Sequence, residues 1–215
     1  MNAPFLVWLG FILLPMAVAI AIAWRAKSTA LTFTIAGWMA LAAGLGQSGI
    51  LSHFSWVPPP IGLLFAIGFV GTVALGRSSL TENLVRLPFA TLIGFHAFRI
   101  LVEFLIHTAS TIGLAPPQMS WSGFNFDIIT GLSALCLAPF ARSAPRWLIV
   151  AWNCLGLALL AIVVSIAVVS FPTRFQLLQP SNTWVAAFPY VWLPSILVTA
   201  ALLGHIIIFR KLRSP

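Results

Sequence analysis

The stretch GFHAFRILVEFLIHT, Gly94 to Thr108, decides how this chain is read. It lies inside an apolar run long enough to cross a bilayer, yet it carries His96, Arg99, Glu103 and His107. Charged side chains at bilayer depth are costly, so they face a bundle interior or a water-filled cavity and pair with one another or with backbone carbonyls. Winding at about 100° per residue places His96, Arg99, Glu103, His107 and Ser110 on one narrow stripe, with Phe95, Phe98, Leu101 and Phe104 elsewhere on the wheel. Leu92 ends the stripe toward the preceding loop. Arg99 and Glu103 are spaced i,i+4 and can pair on their own helix.

Working outward, 60% of the 215 residues are hydrophobic and 7% are charged, against about 25% charged in a soluble domain. A span needs about 20 apolar residues. Seven segments qualify: 4–24, 30–51, 58–76, 88–113, 123–141, 147–171 and 189–209. The expectation is all-α, a seven-helix bundle forming a single transmembrane domain over 1–215, with the lipid bilayer as its partner. The N-terminal AVA and AIA resemble signal-peptide cleavage sites, but the apolar run is too long and lacks a positive n-region, so it is read as helix 1. Cys136 and Cys154 fall within spans and are read as small packing residues.

Net charge is +8, which in a soluble protein would point to nucleic acid. Topology accounts for it here, and no nucleic-acid partner is expected. Arg25, Lys27, Arg77, Arg86, Arg142, Arg146, Arg210, Lys211 and Arg213 all fall at connections on one side, while the other side has only Arg174. The positive-inside rule then puts the N-terminus outside and the C-terminus in the cytoplasm of a bacterial inner membrane. The outer connections are rich in Pro, Trp and Phe and nearly uncharged, as expected of rings lying in the headgroup layer; half-insertion of Trp184 to Trp192 is the alternative.

Depth assigns neighbours to the stripe. At 1.5 Å per residue from Pro88, His96 lies about 12 Å in, Glu103 about 22 Å and His107 about 28 Å. Helix 5 enters through SWSGFNFDIITG, so Asn125 and Asp127 belong to the same outer third as Glu103 and His107, and His53 ends helix 2 there. Arg99, Glu103, His107, Asp127, Asn125 and His96 are therefore the candidate polar pocket, open to the outside between helices 4 and 5. Asp127 is alternatively an acid in a first helical turn behind a Ser122 or Asn125 cap. Glu103, His107, Asp127 and His53 together have the donor types for a divalent metal. A smaller inner set comprises His96, Asn153 and His205. Paired with His53 and His107, these histidines also raise a two-haem arrangement, though His96 and His107 are only about 16 Å apart along one helix.

Other readings fail on particular residues. Retinal proteins need a lysine inside the last helix, whereas Lys27 and Lys211 lie at helix edges. Pro117-Gln118 sits in a loop rather than at matching helix breaks, against small sugar transporters built on a repeated Pro-Gln motif. Ser48 in GLGQSG has no diagnostic setting, and no nucleophile triad or phosphate loop is present.

Over residues 95 to 134 the chain resembles a group of uncharacterised bacterial multi-pass membrane proteins. The similar features are Phe98-Arg99, Glu103, His107, Pro117-Gln118-Met119 and Asn125-Phe126-Asp127-Ile128. The resemblance implies that helix 4, the loop after it and the start of helix 5 form one unit, and it brings no activity, substrate or cofactor. Three function classes remain: small-solute or proton-linked transport, which is favoured; a metal-assisted intramembrane enzyme on a lipid-like substrate; and a non-catalytic subunit whose stripe recognises a partner helix. The small chain makes a homo-oligomer or a membrane partner subunit an expectation of the first and third. For topology, a reporter active only in the cytoplasm should work when fused after Pro215 and be silent before Met1. Equal activity at both ends would remove the seven-helix count.

Overall fold

The computed structural model describes residues 3–214, and among these no strand occurs. Long apolar runs leave the backbone no partner in lipid except itself, which makes helices the spanning element. They are α1 (Ala3–Ala26), α2 (Thr29–Gln47), α3 (Pro60–Arg77), a short α4 (Glu82–Val85), α5 (Phe89–Phe95), α6 (Phe98–Thr111), α7 (Ile128–Leu137), α8 (Arg146–Val169) and α9 (Val198–Arg213). Six helical stretches are long and apolar enough to cross a membrane, which marks the chain as an integral membrane protein.

Local chemistry explains where several helices begin. The Ser28 hydroxyl accepts the Leu31 N–H at 3.3 Å and caps α2, so α1 turns into α2 within two residues. Pro60 opens α3 at a position whose N–H has no helical partner anyway. The fourth span, Phe89–Thr111, is α5 and α6 joined end to end. At the joint the bonds tighten to i→i−3, from His96 N–H to Ile93 O and from Arg99 N–H to His96 O.

The bundle is organised around its last helix. A π-helical turn, Leu193–Leu197, leads into α9, and most of α9 is buried against α3, α8, α5 and α4. Small residues on that helix, Ala200, Ala201 and Gly204, allow the close approach on which helix packing in lipid depends. α1 packs on α2 and α6 at the periphery.

One face of the bundle collects the basic ends. Arg210 binds Glu82 at 3.1 Å and also donates to Gly76 O and Ser78 O, while Lys211 donates to Val85 O. Arg146 donates to Leu212 O, and Asn83 donates to Ala26 O. The C-terminal ends of α1, α3 and α9 and the start of α8 are thus tied together on the same face.

Two sequence expectations need correction. The fifth helix does not start at residue 123: the apolar helical stretch is Ile128–Phe140, about 20 Å long against a hydrocarbon core of about 30 Å. Residues 116–127 run instead as a 3-10 turn, Pro117–Met119, and irregular turns beside α6, with Gln118, Met119, Ser120, Asn125 and Asp127 buried and Phe124 and Phe126 exposed. The stretch Trp184 to Trp192 is likewise no headgroup belt. Trp184, Val185, Ala186, Val191 and Trp192 are buried. Phe11 of α1 meets Trp184 edge-on at 5.4 Å and Tyr190 at 5.5 Å, and Trp192 Nε1 donates to Met39 O at 3.0 Å. The residues of both segments that face the bundle are buried in protein, which supplies the partners that non-helical backbone at membrane depth requires.

This burial separates the tryptophans. Trp184 is 6% exposed and Trp56 is 51% exposed. Replacing Trp184 by Ala should cost about 3–5 kcal/mol in thermal melts in detergent, whereas Trp56→Ala should leave the melting temperature nearly unchanged. Equal shifts would place Trp184 at the surface.

Candidate functional site

Arg99 stands near the middle of the Phe89–Thr111 stretch and is 2% exposed. A guanidinium there must find acceptors within the protein. Its Nε donates to Asp127 Oδ2 at 2.6 Å and its Nη2 to Asp127 Oδ1, a bidentate charge-assisted pair. Its Nη1 donates to His205 Nε2 at 3.0 Å. Because arginine only donates, His205 Nε2 must accept, which puts the ring proton on Nδ1. That Nδ1–H donates to Asn153 Oδ1 at 2.7 Å, and Asn153 Nδ2 donates back to His205 O at 3.1 Å.

The rest of the stripe is met by the irregular segment, position by position. Asn125 Nδ2 donates to both Glu103 oxygens, at 2.9 and 2.8 Å, and to Met119 O at 2.9 Å. Asn125 Oδ1 accepts the Asp127 N–H at 2.9 Å, a turn that aims the Asp127 carboxylate at Arg99. Thr130 Oγ1 donates to Asp127 Oδ1 at 3.3 Å. At the far end His107 Nδ1 lies 3.1 Å from Ser120 Oγ and its ring stacks on Trp121 at 4.2 Å. So 107 faces 120, 103 faces 125 and 99 faces 127, as α6 and the segment run antiparallel.

His96 closes the row beneath Arg99. Its ring lies 4.2 Å from the His205 ring and edge-on to Trp152 at 5.4 Å. It is fully buried, and neither ring nitrogen has a hydrogen-bond partner. Two glycines make room for the pair: a Cβ on Gly204 would come within 2.6 Å of His96 Nε2, and one on Gly156 within 2.5 Å of the His205 ring.

Sequence expectations fare unevenly here. Arg99 and Glu103 do not pair with each other; their helix directs both toward the neighbouring segment, which supplies better-placed partners. Asp127 of the outer polar set and His205 and Asn153 of the inner set are joined into one network through Arg99. The pocket expected between helices 4 and 5 is filled by residues 117–127, and only His107 remains half-buried rather than buried. The proposed metal set is not gathered: His53 is exposed, stacks on Trp56 at 4.9 Å and bonds Ile50 O. Among the described residues no three His, Cys, Asp or Glu side chains are placed to share an ion. The inner histidines do meet, but as packed rings with no space for a porphyrin between them. Asp127 precedes α7 without capping it through its side chain. Thr130, Ser120 and the clamp of Gln118 on Ser170 Oγ (3.2 Å) and Pro180 O (2.6 Å) were not anticipated. Thr130 follows Asp127 by three residues and was readable; the Gln118 contacts cross more than fifty residues and carried no local signal.

Beside the ion pair lies an apolar cavity of about 70 Å³. Arg99 and Asp127 contribute to its wall, with Val102, Leu160, Leu197 and Ala201 around them. No family model, curated protein or solved structure matches the chain.

The network makes unequal demands on its acids. Asp127→Ala strands a buried guanidinium and should lower stability by about 3–5 kcal/mol. Glu82→Ala, at a half-exposed bridge to Arg210 on the basic face, should change it by no more than about 1 kcal/mol. Thermal melts in detergent compare the two, and matching losses would contradict a buried Asp127.

Proposed function

We propose that the chain is a seven-crossing protein of the bacterial inner membrane, N-terminus outside, that binds and moves a small polar or anionic solute together with protons. The orientation rests on the basic face collected by α3, α4, α8 and α9, which the positive-inside rule turns toward the cytoplasm. In this reading the fifth crossing is composite: an irregular outer half, residues 116–127, followed by the helical inner half Ile128–Phe140.

One observation carries the transport reading. A broken crossing delivers Asp127 and the N-terminus of α7 to Arg99 near mid-depth, and the π-helical turn Leu193–Leu197 borders the same cavity. Secondary transporters place their sites near the midplane at discontinuous helices, with half-helix N-termini facing anionic groups. π-helical turns recur at functional sites, and ionisable residues inside a membrane mark substrate or proton routes.

In this reading a solute carboxylate takes the bidentate edge of Arg99 in place of Asp127, and Asp127 takes up a proton as it leaves. Glu103 and His107 then form the route toward the outer face. His96, buried without a partner, marks the inner end of the row; native proteins keep few such groups. The expected assembly is a homo-oligomer, since one small bundle offers little surface for alternating access.

A second reading has its own support. Every nitrogen of the Arg99 guanidinium already has a protein acceptor, as a lock between helices in a non-catalytic subunit would require. Replacing Arg99 by Met together with Asp127 by Leu distinguishes the two. Exchanging a buried pair for apolar residues is often neutral or stabilising, so the double variant should melt at or above the wild type. In proteoliposomes loaded with a pH-sensitive dye, a polar dicarboxylate added outside should acidify the lumen faster for the wild type than for protein-free liposomes, and the double variant should not exceed the protein-free rate. A folded double variant that matches the wild type would leave only the lock.

A further inference from the structure

The apolar cavity next to Arg99 has a larger neighbour. α3 and α8 both line it, yet each packs on α9 rather than on the other. Phe65, Val168 and Phe171 form its upper wall, and the same three residues line a second space of about 530 Å³ above it. That upper space is bordered by Trp56, Val57 and Phe175, all largely exposed, and by Arg174. The two spaces therefore adjoin at these residues between α3 and α8, and together they reach from the face opposite the basic ends to the level of the ion pair.

Its dimensions and charge select an occupant. From Val169 at the end of α8 down to Leu160 is about 14 Å of helix rise, close to the roughly 15 Å of hydrocarbon in one leaflet. The walls of the deep cavity are Val, Leu, Ile, Phe, Ala, Met119 and Pro194, with Arg99 and Asp127 as its polar residues. At the top stands Arg174. It forms no ion pair or side-chain hydrogen bond among the described residues, and its guanidinium lies 4.7 Å over the Phe175 ring. Of the basic residues it alone lies neither at the basic face nor inside the bundle. A cation at headgroup level, an aromatic rim and an apolar slot one leaflet deep match a phospholipid with a net negative headgroup.

We infer that the cleft between α3 and α8 is a binding site for one anionic phospholipid, its phosphate at Arg174 and one acyl chain along Phe65, Val168 and Val164 toward Leu160. The inference is independent of solute transport at Arg99. It differs from general solvation by lipid in stoichiometry and headgroup preference.

Native mass spectrometry of the full-length protein, delipidated in detergent and titrated with phosphatidylglycerol or phosphatidylcholine of equal chain length, tests it. One phosphatidylglycerol should be retained per chain, with about a fivefold preference over phosphatidylcholine, the size expected of one cation at a lipid surface. Arg174→Glu should abolish or invert the preference while leaving the melting temperature unchanged. Val164→Trp fills the slot and should remove the retained lipid whatever its headgroup; if that variant does not fold, Val168→Trp at the exposed rim does the same work. Retention by both tryptophan variants at the wild-type level, an undiminished preference in Arg174→Glu, or no lipid held above the background would each overturn the site. So would a dimer that occludes the cleft in the absence of lipid, because a second copy would then be its occupant.

Discussion

A guanidinium near mid-depth of an apolar bundle sets the terms for everything around it. Arg99 cannot reach water by extending along its helix, so its charge and donors must be met by side chains from elsewhere in the chain. Asp127 meets two of the three nitrogens and His205 the third. For Asp127 to arrive there, the chain after α6 must descend through half the bundle without forming a helix. α7 consequently starts where the carboxylate is delivered, and it is short for that reason. An irregular stretch at such depth leaves backbone groups that lipid cannot satisfy. The turns within residues 116–127 and the Gln118 clamp on the segment following α8 answer that need.

The same interaction reaches the centre of the fold through the histidines. His205 lies on α9, Asn153 on α8, Asp127 just before α7 and Arg99 on α6, so one hydrogen-bonded chain crosses four elements. Its polarity is fixed throughout: the arginine donates, the imidazole accepts on one side and donates on the other, and the asparagine returns a bond to the backbone. Gly156 and Gly204 are part of this arrangement, because any side chain there would collide with the rings. A network with a single consistent donor order resists rotation of any one helix. Yet exchange of one acceptor on Arg99 for another leaves the remaining bonds intact, which is the property a solute site at this place would use.

Much of this was legible before any coordinates. The stripe of His96, Arg99, Glu103 and His107 pointed inward as its spacing demanded, and depth counting put Asn125 and Asp127 beside it. The pairing within the network was not legible. An i,i+4 spacing made Arg99 and Glu103 look like partners, but a bidentate contact needs an approach in the plane of the guanidinium. A neighbouring segment offers that, whereas a side chain on the same helix here does not. Depth counting also separated His96, Asn153 and His205 from the outer acids, because rise along a helix ignores how far a long arginine reaches sideways. The grouping of His53 with Glu103 and Asp127 failed on the same ground: equal depth does not make two residues neighbours.

By itself the sequence determined that the chain is helical, that six of its segments are long and apolar enough to span, and which face of the charged helix is buried. Those properties follow from hydropathy and period, and both are local. Only the tertiary structure decided that the fifth expected span is helical only over Ile128–Phe140, that Trp184 and Trp192 are buried, and that Arg99 belongs to Asp127. Apolar and aromatic residues suit a bilayer and a protein interior alike, so composition cannot tell the two environments apart. Ion-pair choice depends on where distant segments pack, and that is settled by the shapes of all the helices together.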